Sequence, residues 1–452
     1  MAEGKSEMAY PAAPNTSLEY RAIWAIALPA MVTNIATAMI GVGDMWIVGR
    51  LGDAPTQGAV DIGARLFAML FVVMNFLKTG TTGLVAQAGT RDGAQEQAAV
   101  LMRGLAVGLA IALALLAAKP LLLPALLTVL GADGEVLGAA RIYAEIRYWS
   151  APAVLANFAL VGFLVGRRQM RAVLVFEVAY NLLNLALGAW LALGLDWGIA
   201  GIGWSSFVAE IAKLAAVAGF IMFGTNGKAL RTALLQRGTL RWAELRPFLS
   251  VNRDLFLRTV VLMVALAALT RLSAERGVVS LAANGIFYQL FVVTALLLDG
   301  FENAAQVLNG ERLGAGDREG FTRYIGAMLW RGLGVALALS ALFALFAGPV
   351  IDSFAATPEI AAMGRQHAVW LAVIPVAGFA AFVYDGVFVG ASWTRALLGS
   401  MIGAAVLYAA LLWLTWPLGN DGLWLSFALF LAARAVFQAV QVRRLTARSF
   451  PA

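Results

Sequence analysis

Long apolar runs separated by short polar segments fill most of this 452-residue chain. Each run reaches the ~20 predominantly apolar residues that an α-helix needs to cross a bilayer. The pattern predicts about twelve transmembrane helices, and the longest runs predict helices that are tilted or bent. Their expected limits are 18–49, 58–90, 94–118, 135–165, 170–194, 199–223, 248–275, 280–311, 320–347, 360–391, 395–416 and 421–442.

Basic residues are distributed unevenly between the linkers. The linkers after predicted spans 5, 9 and 11 contain no Lys or Arg and the linker after span 1 only Arg50, whereas most of the basic linker residues lie in or beside the linkers after spans 2, 4, 6, 8 and 10. Since basic loops remain on the cytoplasmic side, we expect both termini to be cytoplasmic. The polar segment 1–17 has no signal-peptide pattern and is predicted to be a short cytoplasmic tail.

Three short blocks recur in the same order in the two halves of the chain. Residues 70–73 resemble 290–293, residues 101–104 resemble 329–332, and residues 162–172 resemble 386–396. The repeat predicts two pseudo-symmetric six-helix lobes around a central cavity, related by an axis along the membrane normal. The predicted divisions are a tail 1–17, an N-lobe 18–223, a cytoplasmic linker 224–247, a C-lobe 248–442 and a tail 443–452.

Composition supports an all-α polytopic membrane protein and excludes several other classes. The chain is 61% hydrophobic and 13% charged, against about 25% charged residues in soluble domains. Its net charge of +7 is ascribed to cytoplasmic loops, so no nucleic-acid partner is expected. No segment resembles an ATP-binding loop, a zinc-ligand set or a nucleophile–His pair. We therefore predict a protein that is not an enzyme, has no cofactor and takes its energy from an ion gradient.

The first predicted span carries an acidic residue in an otherwise apolar run. Asn34, Thr37, Gly41 and Asp44 share one helical face, because they stand at i, i+3, i+7 and i+10. A carboxylate in the membrane costs roughly 2.5–3.5 kcal/mol and is a functional candidate. The alternative interpretation is a polar group that packs between helices. Pro29 lies in the same run and is a predicted hinge.

These residues resemble a known family. The order Pro29, Gly43–Asp44 and Val48–Gly52 is similar to span 1 of multidrug and toxic compound extrusion (MATE) transporters, and Asp299–Phe301 and Tyr384–Gly386 resemble their DinF-type branch. The resemblance implies proton- or sodium-coupled export of organic, often cationic, drug-like compounds. It also implies a multi-pass protein of the inner (cytoplasmic) membrane, surrounded by lipid, and we expect a monomer.

The resemblance also implies a coupling site in the N-lobe. Similar proteins join the span-1 aspartate to an Asn and an Asp of span 5 and to a hydroxyl of span 6. Asn184 and Ser206 match two of these groups, but Gly188 stands where many relatives have the Asp. Because Na⁺ prefers several oxygen ligands, this departure favours proton coupling. The candidate coupling residues are Asp44, Asn34, Asn181, Asn184 and Ser206.

Glu177 lies on the same face of span 5 as Asn181 and Asn184 but nearer the cytoplasmic end. We interpret it as a loop-facing or packing charge. In the second half, His367 lies near the outer boundary, where we expect it to be a surface residue.

A second acidic group is predicted in the C-lobe. Asp299, Glu302 and Asn303 share one face of span 8, and Asp385 lies in the same cytoplasmic half of span 10. These four residues are candidates for substrate binding or coupling. The alternative is that the acids pair with Arg271 or Lys78 and hold the lobes together.

The resulting hypothesis is a secondary antiporter that exports amphiphilic or cationic compounds in exchange for protons by alternating access, with Asp44 as the protonation switch. Three alternatives stay open. They are a sodium-coupled antiporter of the same family, a flippase for lipid or polar-lipid cargo, and a membrane-embedded transferase.

Overall fold

α-Helices account for nearly all of the described chain. The computed structural model describes residues 16–51, 54–224, 227–235 and 238–450. Within these ranges it describes all side chains except those of residues 16–18, 39–45, 48, 51, 54–55 and 234–235.

The first half of the chain folds into eight helices and a π-helical turn in its described part. They are α1 (Thr16–Leu51), α2 (Ala54–Met74), α3 (Phe76–Arg91), α4 (Ala94–Val129), α5 (Gly134–Tyr148), α6 (Ala151–Gly166), α7 (Met170–Ala189), the π turn (Trp190–Gly194) and α8 (Gly198–Phe223). The predicted linker contains one further helix, α9 (Gly227–Leu235), and the beginning of the next.

The second half has a similar series of helices. They are α10 (Trp242–Glu275), α11 (Val278–Gly314), α12 (Arg318–Phe354), α13 (Pro358–His367), α14 (Val369–Gly390), α15 (Thr394–Leu414), a 3₁₀ turn (Trp416–Leu418) and α16 (Gly419–Ser449).

The expected number of membrane spans is confirmed. Among the described residues, 11 helical segments are long and apolar enough to cross a bilayer, or 12 if the bent pair α5–α6 counts as one span. The two helices of that pair meet at 51°. Pro152 stands at the start of α6 and cannot donate a backbone hydrogen bond to α5, which accounts for the break.

Three apolar cores show how the two halves meet. The first core contains residues of both halves, among them Leu77, Phe163, Phe301 and Phe388. This core lies at the end of the molecule where the helices continue into the linkers that contain Arg. We call this end the basic end. The second core draws only on the C-terminal half, and the third only on the N-terminal half. Among the described residues, the apolar cores therefore join the halves at the basic end and stay separate toward the other end.

Small residues let the helix backbones approach closely at the basic end. A Cβ added to Gly83 would lie 2.6 Å from the carbonyl oxygen of Val389, which belongs to the other half. A Cβ on Gly310 would lie 3.0 Å from the Cβ of Ala86. Glycine at these positions permits the close contact of α3 with α11 and α14.

Polar contacts reinforce this closure. The Gln87 side chain donates hydrogen bonds to the Gly390 carbonyl at 2.6 Å and to the Ser392 hydroxyl at 2.8 Å. On the opposite side of the junction, Arg168 forms a bidentate ion pair with Glu311. Each contact connects the N-terminal half to the C-terminal half at the basic end.

His367 differs from the sequence-based expectation. It is 6% exposed, and its Nδ1 lies 2.7 Å from a carboxylate oxygen of Asp421. The expectation of a surface residue was wrong because α13 packs over α11 and brings the imidazole against the start of α16, a contact between distant parts of the chain.

Candidate functional site

Helix α1 positions the predicted coupling acid. The helix continues through Pro29, and Thr33 donates a hydrogen bond to the Pro29 carbonyl at 2.7 Å. The side chain of Asp44 lies outside the described residues, so its predicted role stays a prediction, as does the hinge at Pro29. Three residues further on, the Ile47 side chain is fully buried and marks where α1 meets α7.

Gly188 of α7 faces this part of α1. A Cβ added at Gly188 would lie 2.9 Å from the Cδ1 atom of Ile47 and 3.4 Å from the Ser205 hydroxyl oxygen. A larger residue here would have to displace Ile47. The departure from the family pattern at Gly188 is therefore accompanied by close packing of α1, α7 and α8.

The structure brings Asn184 and Ser206 together. The Asn184 amide donates to the Ser206 hydroxyl at 3.3 Å and accepts from Ser205 at 3.4 Å. All three side chains are buried. The sequence analysis missed Ser205, although its place next to Ser206 in an apolar helix was a usable signal.

Asn34 and Asn181 have different surroundings from this group. Asn34 donates to the Leu296 carbonyl of α11 at 3.0 Å, so it connects α1 to the C-terminal half. Asn181 lies on the Asn184 face of α7, but its buried amide nitrogen and oxygen have no hydrogen-bond partner among the described side chains and backbone. Neither contact tests the coupling role predicted for these residues.

A charged group lies further along α7 and α8. The Lys213 ammonium is 2.7 Å from a Glu177 carboxylate oxygen, and both side chains are about nine-tenths buried. Asn157 of α6 donates to the Glu210 carboxylate at 2.7 Å. Glu177 is thus a packing charge and does not face a loop. Glu210 and Lys213 were missed, although two charges three residues apart in an apolar helix could have revealed them.

Asp385 lies at the centre of an ionic group in the C-terminal half. Its carboxylate is fully buried and accepts hydrogen bonds from Arg434 at 2.5 Å, from Gln438 at 2.5 Å and from Arg258. The alternative pairing with Arg271 is wrong, because Arg271 is exposed and pairs with Glu275 at 3.3 Å. The mutual neutralisation favours a packing role for Asp385.

Asp299 and Glu302 of α11 form no comparable ion pairs. Among the described side chains, no Lys, Arg or His comes within 4.0 Å of either carboxylate. Lys78 of α3, the other partner considered from the sequence, therefore forms no ion pair with either acid among the described contacts. The Asn303 amide donates to the Asp299 carbonyl at 2.8 Å. Two carboxylates without a direct cationic partner can attract a positively charged ligand.

Comparison with known proteins identifies the family. The family model described as MatE matches residues 29–190 and again residues 255–414. The chain belongs to the MatE family. MATE proteins are transporters, so the prediction that the chain is not an enzyme is confirmed. The two matched segments fall one in each half, in agreement with the repeat inferred from sequence.

Individual MATE relatives cover nearly the whole chain. It is 33% identical over 432 residues to DNA damage-inducible protein F of Escherichia coli (strain K12), an alignment that covers 94% of this chain and 92% of that protein. It is 24% identical to a probable multidrug resistance protein NorM of Chromobacterium violaceum, with 94% of each chain covered. The predicted resemblance to MATE transporters of the DinF type is confirmed.

Solved MATE structures have the same fold. A crystal structure of MATE in the bent conformation superposes with a TM-score of 0.86 at 18% identity and covers 95% of this chain and 97% of the other. An outward-facing multidrug resistance MATE family transporter gives a TM-score of 0.83 at 17% identity and covers 97% and 99%. At these identities the likeness concerns the fold alone.

Proposed function

We propose that this MATE protein is a multidrug efflux antiporter that exports organic cations and amphiphiles in exchange for protons. Asp44 is the protonation switch, and the exchange proceeds by alternating access. The proton is proposed as the coupling ion because of the packing at Gly188: at this position α7 supplies no second carboxylate beside Asp44's helix. A proton needs one titratable group, whereas a dehydrated Na⁺ needs several oxygen ligands.

The polar groups around this level support a switch at Asp44. Protonation of a carboxylate removes a charge and creates a hydrogen-bond donor. The Asn181 amide has no partner within the part of the chain that the structure describes, and the hydrogen bonds of Asn184 to Ser206 and Ser205 are long at 3.3 and 3.4 Å. Such a group can exchange partners when α1 changes its charge, and Pro29 gives α1 a place to bend.

The second half supplies the charge for cationic cargo. Asp299 and Glu302 place two carboxyl groups beside the junction of the two halves, without an ion-pair partner among the described residues, and Asn303 adds an amide on the same helix face. Relatives named as multidrug resistance proteins support the same class of substrate. Asp385 contributes less directly, since two arginines neutralise its charge.

Closure at the basic end supports an outward-facing arrangement in which both termini lie in the cytoplasm. The positive-inside rule assigns the basic end to the cytoplasmic side. The contacts at that end then seal the cytoplasmic side, and the separate cores of the two halves lie toward the exterior. Asp44 would be protonated from the exterior and cargo would be released there, before the protein opens toward the cytoplasm.

Efflux from proteoliposomes tests this function. A fluorescent cationic dye is loaded, and a pH gradient or a sodium gradient is imposed separately. We expect the pH gradient alone to drive efflux and Asp44→Asn to abolish it. Asp61→Asn is the matched control, because Asp61 is half exposed and pairs only with Arg65 among the contacts described for its side chain. Efflux driven by sodium without a pH difference would refute proton coupling.

A further inference from the structure

Two neighbouring helices of the C-terminal half, α10 and α15, each expose one stripe of side chains. The exposed positions recur at helical spacing over residues 253–271 of α10 and 395–413 of α15, and we call these two stripes together the α10–α15 face. Both stripes are apolar over most of their length, with Val264 64% and Val406 67% exposed. In a membrane protein, an exposed apolar surface of this length is one that contacts lipid.

Each stripe begins with an arginine at the basic end. Arg253 is the first exposed residue of the α10 stripe and Arg395 the first of the α15 stripe. The stripes end at Arg271 and Trp413, each 18 residues later, which corresponds to about 27 Å at 1.5 Å per residue. Since the hydrocarbon core of a bilayer is ~30 Å thick, a membrane that covers both stripes places Arg253 and Arg395 at the level of the phospholipid headgroups.

A shared carboxylate keeps the two arginines at one level. Thr394, the residue before Arg395, donates a hydrogen bond to the Asp254 carboxylate at 3.2 Å. Arg253 pairs with the other oxygen of the same carboxylate at 2.8 Å. The first residues of the two stripes therefore lie on adjacent helices at the same height.

Helix α16 brings a further arginine close to this level. The Trp393 indole donates a hydrogen bond to the Ser449 hydroxyl at 3.0 Å, so α16 ends where α15 begins. Arg444 is exposed and comes five residues before Ser449. At 1.5 Å per residue it stands within one helical turn of the level of Arg395.

The positive charge at this level has little compensation. Among the described side chains, Arg395 and Arg444 have no ion-pair partner, and helix α15 contains no Asp or Glu. Within two turns of Arg253 on α10, the sequence has a single acidic residue, Asp254. The Asp254 side chain is 4% exposed and already holds Arg253. An anion that approaches the α10–α15 face at this level therefore meets unpaired positive charge.

Gly399 leaves open space beside the arginines. It comes one helical turn after Arg395 on the same stripe, and a Cβ added there would have no described atom within 4 Å. At the corresponding distance after Arg253, α10 carries Leu257, which is 40% exposed. The α10–α15 face therefore offers a cationic level, a gap next to it and an apolar surface beyond. A phospholipid has parts that match all three, whereas a soluble anion matches only the first.

We propose that the α10–α15 face binds an anionic phospholipid, with its phosphate at Arg395 and Arg253 and its acyl chains along the two apolar stripes. Arg253 offers its Nη1 atom, because its Nε and Nη2 atoms already donate to Asp254. Guanidinium groups form strong charge-assisted hydrogen bonds with phosphate oxygens, and basic clusters at the membrane boundary attract anionic lipids. The proposal does not depend on the coupling ion, and the lipid is a bound ligand that is not itself exported.

Photo-crosslinking in nanodiscs tests this site on the full chain. The discs consist of phosphatidylcholine with a trace of photoactivatable phosphatidylglycerol or of photoactivatable phosphatidylcholine, and mass spectrometry measures the lipid attached to peptides of α10 and α15. We expect the phosphatidylglycerol probe to label these peptides more than the phosphatidylcholine probe does. Arg395→Gln should lower the phosphatidylglycerol labelling about fivefold, the effect of one basic residue at an anionic surface. Arg395→Lys should retain most of it.

Arg91→Gln is the matched control. Arg91 lies at the basic end of the other half, is 67% exposed and pairs with Asp92 at 2.7 Å, so the variant removes the same charge away from the proposed site. It should leave the labelling of α10 and α15 unchanged. An equal loss in Arg91→Gln and Arg395→Gln would overturn the proposal, because it indicates diffuse attraction of anionic lipid to the basic end.

Two further measurements separate a lipid from other anions and charge from shape. Inorganic phosphate in excess should not reduce the labelling, since it lacks acyl chains; displacement by phosphate would overturn the assignment to a lipid. Gly399→Leu keeps every charge but fills the gap, and it should also lower the phosphatidylglycerol labelling. Full labelling in Gly399→Leu, or equal labelling of the unsubstituted protein by the two probes, would overturn the proposed site.

Discussion

Arg168 and Ser392 occupy equivalent positions in the two halves and share a backbone conformation that is unusual outside glycine. Their φ angles are 60° and 56°, and each follows a repeated segment, 162–166 or 386–390, by two residues. Both reach across to the opposite half. Arg168 pairs with Glu311, and Ser392 accepts a hydrogen bond from Gln87.

The two contacts close the basic end with different chemistry at pseudo-symmetric places. One is an ion pair whose side chains are 38% and 16% exposed, and the other is a pair of neutral hydrogen bonds. Because salt screens exposed ion pairs, the Arg168 side of the closure is expected to weaken first when ionic strength rises.

Charge reversal at the ion pair should shift the balance between closed and open forms of the basic end. We expect Arg168→Glu to cost the closed form about 1 kcal/mol, roughly a fivefold change in population. The chain contains no Cys, so spin labels at Arg171→Cys and Arg395→Cys report the distance between the halves. Adding Glu311→Arg to Arg168→Glu should restore the closed population, and failure of that rescue would contradict the assignment.

Gly83→Ala should hold the basic end apart. The new methyl group would meet the Val389 carbonyl oxygen at 2.6 Å, and backbone cannot rotate away as a side chain can. The same pair of spin labels should report a longer distance. Gly399→Ala is the control, since nothing lies within 4 Å of a Cβ at that position. An unchanged distance in Gly83→Ala would show that the contact does not limit closure.

Asp385→Asn should damage folding more than transport chemistry. It leaves Arg258 and Arg434 buried without their shared anion, and breaking a buried ion pair typically costs about 3–5 kcal/mol. We expect a marked loss of thermal stability and of folded protein. Normal stability in Asp385→Asn would contradict the packing role.

Asp299→Asn should keep the stability of the protein but slow the export of cationic dyes more than that of neutral ones.

The Asp317 carboxylate should make the stability of the folded protein depend on pH. Burial tends to raise the pKa of this carboxyl, but the hydrogen bonds from the Gly320 amide and the Arg312 guanidinium outweigh it and lower the pKa below its ordinary value. Because Asp317 caps α12, Asp317→Ala should cost about 1 kcal/mol. The stabilisation is fully present above the unfolded-state pKa of ~3.9 and disappears as the pH falls through the lower folded-state value. Thermal unfolding of both proteins between pH 7 and pH 3 measures the difference, and a gap that does not narrow as the pH falls to 3 would contradict this account.

Four features follow from the amino-acid sequence alone: the class of protein, the number of spans, the internal repeat and the family. The family resemblance further implied that Asn184 and Ser206, which lie on different helices, belong to one polar group. The spans and the shared helix faces are local or periodic features: the bilayer requires each long apolar run to satisfy its own backbone hydrogen bonds as a helix, and helical spacing decides which side chains share a face.

Which charged side chains meet depends on how the helices pack against one another. Asp385 pairs with Arg258 and Arg434, which are 127 and 49 residues away, and His367 finds Asp421 54 residues further on. The closure at the basic end likewise depends on how the two halves are placed. Such contacts arise from helix packing, in which small residues and interhelical polar contacts choose the partners, and the periodicity of a single helix does not contain that information.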